Sequence, residues 1–364
     1  MRIVHVDTAA TWRGGQGQVL LTALGQAARG NEVTVACRRG GVLESRARAA
    51  RLPVAALPFR GDLWPPAAVA LARALRSARP DVVQLHDPHA VGTGVLAARL
   101  AGRTDGRAPV PRLVATRRVD FRLRGPLSRW KYRACPGIVA VSRAIARVLA
   151  EDGIDAERVR LVYEGVPDRE APPGGAEALQ ALGVPAGAPV VGNVAALTGH
   201  KDHATLLEAA AVVLRARPEV RFVVVGEGPL RGELAARTRE GGLEGRVVFA
   251  GFRDDVDRLL AAFDVFCLSS RLEGLGTSLL DAMAFARPVV ATAAGGMPEA
   301  VEDGVTGRVV PVRDPVALAR ALLDLLGDPG RRRVMGEAGR RRFLERFTAD
   351  RMVEETLGVY EALG

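Results

Sequence analysis

Aromatic side chains are scarce in this chain. Phe, Trp and Tyr together make up 4% of 364 residues, so any core must be built from Ala, Val and Leu. Histidine occurs five times, and lysine only twice, at Lys131 and Lys201, although Lys and Arg together number 51. The three cysteines, Cys37, Cys135 and Cys267, are odd in number, far apart and form no CxxC pair. They fit no disulfide framework and read as small buried hydrophobes in a reducing compartment. No apolar run reaches the roughly 18 residues of a membrane span. The opening MRIVHVD runs straight into strand pattern without a signal-peptide core, so a cytoplasmic location is expected. Glycine (41) and proline (22) are scattered, which excludes collagen-like and low-complexity classes. No repeat of solenoid period occurs.

What is present is a hydrophobic fraction of 48%, enough for real cores, on a length that suits two domains or one large one. The net charge is +10. It admits anionic small substrates, an anionic membrane surface or nucleic acid as partners; a general Arg bias speaks only to solubility.

Short apolar runs alternate with helix-period segments. The first half reads strands at 2–7, 32–37, 81–86, 112–116 and 137–142, with helical stretches such as 17–28, 66–78 and 142–151. The second half repeats this at 189–195, 221–226, 246–251, 264–269 and 287–292, and past 312 the chain reads helical, with breaks near 328–330 and 348. Near-continuous Val/Ile/Leu strands separated by helices imply parallel sheets covered on both faces. The Pro-Pro-Gly-Gly stretch within 164–189 is the best linker candidate. The expected architecture is α/β: two Rossmann-like, doubly wound parallel-sheet domains facing a central cleft. The boundaries are 1–168 (N-terminal domain), 169–188 (linker), 189–345 (C-terminal domain) and 346–364, a helix that could pack back on the N-terminal domain.

Chemistry concentrates in RLEGLGTSLLDAMAFARPVVATAAGGMPEA, residues 271–300. A strand feeds a loop with Glu273, Gly274 and Gly276, and a helix starts near Thr277. Free N–H groups and the helix dipole make an anion site there. Asp281 shares a face with Thr277 about 6 Å along the axis, where it could accept hydrogen bonds from a ribose. Glu273 could hold sugar hydroxyls on the other side of the phosphates. The plain alternative is an ordinary βα loop with acids stabilising a helix start.

In LTGHKDH, residues 197–203, Lys201 stands between His200 and His203, at a strand's carboxyl end beside a helix N-terminus opening near 202. A compact cation suits a diphosphate there; a solvated loop lysine is the plain alternative. A metal site built from these histidines with His86 and His89 matches no usual zinc spacing, and no Cys joins them. TWRGGQGQ (11–18) could bring Gly14, Gly15 and Gly17 close to phosphate or sugar. It is a poor dinucleotide fingerprint, lacking the third glycine, and Cys37-Arg38-Arg39 replaces the acid that holds an NAD ribose; an NADP reading survives weakly. TRRVDFRLRGPLSRWKYR (116–133) carries seven basic residues and one acid, interleaved with Phe121, Trp130 and Tyr132. It could meet anionic lipid headgroups or an anionic acceptor, stack bases, or be a solvated Arg-rich surface.

Taken together, these segments resemble glycosyltransferase family 4, the glycosyl transferases group 1 of the GT-B fold. The resemblance spans the chain: the Gly-rich first loop, the AVSRAIARVLAEDGI helix, VYEGV, VVVGEGPLRGEL, EGLGTSLLDAMA with PVVAT and GGMPE, and the GGMPEAVEDGVTGRVV run. It implies that Lys201 binds the donor diphosphate and that the amides of Gly276, Thr277 and Ser278 cradle the phosphate. By the same resemblance Glu273 contacts the transferred sugar, Asp281 the ribose, and Phe252 and Arg253 the base, while Gly14 and Gly15 approach the donor from the other domain. Three positions depart from the family pattern. Its two glutamates separated by seven residues are here Glu273 and Asp281. An Arg five residues before the Lys is here Ala196. The His after the fifth strand is matched by Arg118, leaving open whether Arg118, His86 or His89 takes that role.

The implied activity is retaining transfer of a hexosyl group from a nucleotide-diphosphate sugar, UDP by family frequency, to a sugar or lipid-linked hydroxyl. The expected setting is cell-envelope polysaccharide, lipopolysaccharide or glycolipid synthesis. No metal or other cofactor and no nucleic-acid partner is expected, and segment 117–133 could hold the protein at the inner face of an anionic membrane. Two alternatives stay open: a sugar-nucleotide epimerase or hydrolase on the same fold, and a non-catalytic sugar- or membrane-binding protein.

Overall fold

The structure is a computed structural model that describes residues 1–60, 64–102 and 111–363. The chain divides into two compact units, Met1–Gly165 with Ala349–Gly364, and Val166–Thr348.

The first unit holds a parallel sheet of seven strands: β1 (Arg2–Asp7), β2 (Glu32–Arg38), β3 (Val54–Leu57), β4 (Val82–Leu85), β5 (Arg112–Arg117), β6 (Gly137–Ala140) and β7 (Val159–Leu161). Their order is β3-β2-β1-β4-β5-β6-β7. Alternate residues of the strands feed two cores. Val4, Val6, Val83 and Leu85 pack with Leu71, Val91 and Val95 of the helices Pro65–Ala78 and Pro88–Gly102. Ile3, Val35, Val82 and Val114 pack with Val19, Ala23, Met352 and Val353 of the helices Gly14–Ala28 and Ala349–Glu361. Both faces are therefore covered, as parallel strands require. The last helix belongs to this unit because its buried stripe, Met352, Val353, Thr356, Val359 and Tyr360, completes that second core.

The second unit has six parallel strands, β8 (Val190–Val194), β9 (Arg221–Val225), β10 (Val247–Gly251), β11 (Val265–Leu268), β12 (Val289–Thr292) and β13 (Gly307–Val310), in the order β10-β9-β8-β11-β12-β13. Its core joins Val191, Val224, Val265 and Val290 to Leu206, Ala210, Leu318 and Leu322.

Three strands escape the periodicity reading. β3 is Ala-rich and only part-buried, β7 has three residues on an edge, and β13 is a short edge strand with Arg308 in it. The stretch 169–188, read as a linker, is a folded part of the second unit. It carries the helix Gly175–Gln180, with Ala178, Leu179 and Val184 buried. Its Gly175 lies so close to the helix Val256–Ala262 that a Cβ would sit 2.7 Å from the Arg258 carbonyl oxygen. The Pro-Pro-Gly-Gly run marks the entry to that helix, and the unit boundary falls ahead of it, after Gly165.

In each unit the order reverses between two central strands, β1 and β4 in the first and β8 and β11 in the second. In open α/β sheets, ligands bind outside the carboxyl ends of strands at such switch points.

Candidate functional site

The second unit's switch point brings together Lys201, Glu273 and the helix Thr277–Ala284. Lys201 ends a 3₁₀ turn, Gly199–Lys201, that follows β8 and leads into the helix His203–Ala216. The loop is pinned from several sides. The Leu197 amide donates to the Glu227 carbonyl (3.0 Å), and the Ser269 hydroxyl lies 3.1 Å and 3.0 Å from the carbonyls of Lys201 and Asp202. Gly228 allows the close approach, since a Cβ there would be 2.5 Å from the Leu197 carbonyl oxygen.

Glu273 sits in the loop after β11. Its carboxylate pairs with the Lys201 ammonium and accepts from the Ser270 hydroxyl (3.2 Å) and the Gly274 amide (3.3 Å). The loop is seated on Gly295, whose φ is +52° and whose Cβ, if present, would lie 1.7 Å from the Glu273 carbonyl oxygen. Only glycine fits, which explains the AAGGMPE run. The helix Thr277–Ala284 begins directly behind Glu273. A Cβ on Gly276 would be 3.7 Å from Glu273 Cγ, and Gly276 as N-cap supplies no side chain to the helix start. A cation, a carboxylate and the first turn carrying Thr277 and Ser278 therefore converge. Such a site can hold an anion by charge and by N–H donation and can hydrogen-bond neighbouring hydroxyls.

Asp281, four residues on, accepts from Arg169 Nη2 at 2.8 Å, and the same nitrogen reaches Asp257 at 2.8 Å. Burial pushes the Asp281 carboxyl up to about 6 against the pull of Arg169, and Asp257 adds to the rise. The sequence reading missed Arg169 because it lies in the segment taken for linker. Phe252 and Arg253 follow β10; Phe252 is exposed, and Arg253 makes two bonds to Asp255, both 2.7 Å. His203 is buried. Its Nε2 is 3.2 Å from Asn193 Oδ1, while Asn193 Nδ2 donates to the Cys267 carbonyl (2.8 Å), so it ties its helix to two central strands. Burial lowers it to about 4. His200 Nδ1 is 3.3 Å from the Thr198 hydroxyl.

The first unit's switch point gathers Gly15, His86 and Arg118. The helix Gly14–Ala28 opens after β1, and a Cβ on Gly15 would be 3.9 Å from Arg118 Cδ. Arg118, just past β5, donates through Nε to Glu164 (3.0 Å) and through Nη1 to His86 Nδ1 (3.0 Å) and the His86 carbonyl (3.3 Å). His86 follows β4 and is buried. Burial first, then Arg118 and His5, hold its imidazole well below the usual range. Sequence reasoning missed His5 and Glu164; a histidine inside the apolar run RIVHVD was the available signal for the first. Asp7, at the carboxyl end of β1, accepts from Gln16 (3.0 Å) and Ala9 (3.0 Å) and is raised to about 6 by burial and then by Asp87.

The basic segment 117–133 is less of a surface than its composition suggests. Arg117 and Lys131 are buried, Arg117 donating to the Tyr132 hydroxyl (3.2 Å) and Lys131 to the Pro88 carbonyl (2.7 Å). Arg122 pairs with Glu151 and Asp152. Phe121, Leu127, Arg124 and Arg129 remain exposed. All three cysteines are buried, with burial pushing their thiols up to about 12. Among the described residues, no cluster of three or more His, Cys, Asp or Glu side chains is placed to hold a metal ion, and no helix is long and apolar enough to cross a membrane.

Two units, each a parallel sheet flanked by helices with polar groups at its switch point, define a GT-B glycosyltransferase fold. HepE from Anabaena, solved in complex with UDP and glucose, superposes with a TM-score of 0.85 at 24% identity over 100% of both chains. Residues 12–170 match the family described as Glycosyltransferase Family 4, and residues 176–342 match Glycosyl transferases group 1. The chain is 32% identical to the 2-deoxystreptamine glucosyltransferase of Streptomyces kanamyceticus over 317 residues, 82% of each protein. It is 34% identical to the lipopolysaccharide core biosynthesis glycosyltransferase LpsE of Rhizobium meliloti over 176 residues, 48% of this chain and 51% of that one. This chain belongs to glycosyltransferase family 4, the glycosyl transferases group 1, and is a glycosyltransferase.

Proposed function

We propose that the protein transfers a hexosyl group from a nucleotide-diphosphate sugar, a UDP-sugar first among them, to a hydroxyl of a sugar or lipid-linked acceptor, with retention of anomeric configuration and without a metal. The carrying observation is the convergence of Lys201, Glu273 and the uncapped start of the helix Thr277–Ala284 at the β8/β11 switch point. The likeness to HepE, which was solved with UDP and glucose, supports the donor class. The likeness to LpsE supports an envelope role such as polysaccharide, lipopolysaccharide or glycolipid synthesis.

In this reading the Lys201–Glu273 ion pair holds the place of the donor. An arriving diphosphate takes over Lys201 and the amides of Gly276, Thr277 and Ser278, and Glu273 turns to the sugar hydroxyls. As the bond from the anomeric carbon to the diphosphate oxygen breaks, Lys201 and those amides stabilise the growing charge. The acceptor oxygen bonds the same face of the carbon, and its proton passes to the departing phosphate. Lys201 and the helix start supply the positive charge that a metal would otherwise bring. Asp281 holds the ribose, Phe252 and Arg253 border the base, Gly14 and Gly15 serve the donor, His86 and Arg118 serve the transferred sugar, and the acceptor binds on the first unit. The exposed Phe121, Leu127, Arg124 and Arg129 rest on anionic lipid at the inner face of the membrane.

Thermal melting with UDP, GDP, ADP, CMP and NADP on wild type and Lys201→Ala tests the donor class. Ligand at 100 times its dissociation constant adds about 2.7 kcal/mol, a rise of several degrees. A rise with one nucleoside diphosphate that Lys201→Ala loses is expected; no rise with any of the five defeats the donor reading. Transfer assays in EDTA test metal independence, product NMR tests retention, and sedimentation with phosphatidylglycerol vesicles tests membrane contact.

A further inference from the structure

Seven side chains of the first unit form one continuous hydrogen-bonded chain through its interior. Arg118 Nη1 meets His86 Nδ1 at 3.0 Å, His86 Nε2 meets His5 Nδ1 at 2.8 Å, and His5 Nε2 meets Gln26 Oε1 at 2.9 Å. Gln26 Nε2 donates to the Tyr360 hydroxyl at 3.2 Å, Tyr360 donates to Gln84 Oε1 at 2.5 Å, and Gln84 Nε2 donates to the Thr116 hydroxyl at 2.9 Å. His5, Gln26, Gln84, His86, Thr116 and Tyr360 are all buried, and the two imidazoles stack with centroids 5.1 Å apart.

The direction of every bond is fixed from both ends. An amide oxygen only accepts, so His5 must carry hydrogen on Nε2. A guanidinium only donates, so His86 must accept on Nδ1 and carry hydrogen on Nε2. His5 Nδ1 is then the acceptor for His86 Nε2. An extra proton on either ring would set two N–H groups against each other, within the buried pair or against Arg118. The chain therefore excludes imidazolium on steric and hydrogen-bond grounds alone. Burial acts in the same sense, lowering His5 to about 4 and His86 well below its usual range. The charged and titratable groups facing the pair are Arg118, with Glu164 beyond it, and Tyr360, whose hydroxyl burial pushes up.

Arg118 gains from this a fixed pose. Nε is held by Glu164 and Nη1 by His86, and among the described residues Nη2 makes no hydrogen bond. Two of the three guanidinium nitrogens are thus held by the scaffold and Nη2 is left to meet a ligand oxygen. We propose that His86, His5, Gln26 and Tyr360 are positioning residues that set the Arg118 guanidinium from the terminal helix inward, with both histidines neutral and protonated on Nε2. That Arg118 then serves sugar transfer rests on the function proposed above; the chain and its tautomers do not.

The two are separated by paired measurements on the full-length protein. Long-range ¹H–¹⁵N spectra of ¹⁵N-histidine-labelled protein should show His5 and His86 as Nε2–H tautomers from pH 5.5 to 8. An Nδ1–H tautomer, or titration of either ring near 6.5, overturns the proposal. Tyr360→Phe removes one hydroxyl that both accepts from Gln26 and donates to Gln84. It should lower kcat about tenfold, leave the donor KM within twofold and broaden or shift the His5 and His86 signals, at an unchanged far-ultraviolet spectrum. Arg118→Lys, which keeps charge and loses the fork, should lose about 100-fold in kcat. If Arg118→Lys is impaired while Tyr360→Phe keeps wild-type kcat and unshifted histidine signals, the positioning role is wrong and the transferase reading stands. If the wild type transfers nothing from any donor, the transferase reading fails, and the tautomer spectra alone decide the chain. If Tyr360→Phe does not fold, the wild-type tautomers still do so.

Discussion

The two switch points solve the same problem in opposite ways. In the first unit polarity runs through the interior of the sheet: His5, Gln84 and Thr116 lie within strands and hand Arg118 its pose from behind. In the second unit the strands between the two layers are filled by packing. A Cβ on Gly192 would lie 1.9 Å from the Phe263 ring; Asn193 is a buried polar side chain within β8, but Lys201 and Glu273 stand past the strand ends. Lys201 and Glu273 hold each other by one ion pair that a ligand can exchange. An immobilised donor reads geometry, whereas an exchangeable pair reads charge. On the function proposed above, the contrast would give selection by shape to one unit and capture of an anion to the other.

The comparison can be broken or sharpened at four places. Phe263→Ala removes the ring seated on Gly192 and should destabilise the second unit by about 3–5 kcal/mol, as large buried truncations do. Denaturant unfolding should show that loss in the transition containing the second unit; a cost below about 1 kcal/mol would mean that packing does not fill this switch point. Lys201→Ala and Glu273→Ala should each cut kcat by about 10²–10³-fold, the scale of removing one preorganised electrostatic partner, with the far-ultraviolet spectrum intact. Wild-type transfer in either variant would end the capture role. Gly295→Ala forces a side chain onto the Glu273 carbonyl and a positive φ, a strain of about 1–3 kcal/mol. Transfer should fall at least tenfold and melting by a few degrees, with activity the more sensitive readout.

The smallest effect is a pH signature. Asp281 is raised from 3.8 to about 6 in the folded protein, so the native state binds more protons than the unfolded state between those values. Its contribution to stability is present below about pH 4 and is lost as pH rises through 6. Asp281→Asn should therefore gain on wild type in melting temperature as pH rises from 4 to 6, in the absence of nucleotide. A difference that stays flat, or runs the other way, would show that Arg169 outweighs burial at this carboxylate.

The alternation of Val-rich runs with helices was enough to read the parallel sheets, because strands buried on both faces leave a continuous apolar signature, as in VVQL and RFVVV. Strands at the edges, VAAL and GRVV among them, carry too little apolar length to leave one. Lys201, Glu273 and the helix start were legible because rare residue types and glycines mark them in one dimension. The chain from Arg118 to Thr116 was not. Its members come from β1, β4, β5 and from helices at either end of the sequence, and hydrogen-bond partners separated by up to 334 residues have no local spacing to detect. Arg169 was hidden for another reason: a Pro-Gly-rich approach masked a residue whose partners, Asp257 and Asp281, lie about a hundred positions away.

The shortage of lysine has a practical side. Lys131 is 3% exposed and its ammonium is bound to the Pro88 carbonyl, while the exposed α-amine donates to Asn31. That leaves Lys201 as the one ε-amine at a ligand-accessible strand end, among guanidinium groups that acylating reagents do not touch. A mild amine-reactive ester therefore has two amines to compete for, the α-amine and Lys201, which peptide mapping tells apart, and on the function proposed above a nucleoside diphosphate should shield Lys201 alone.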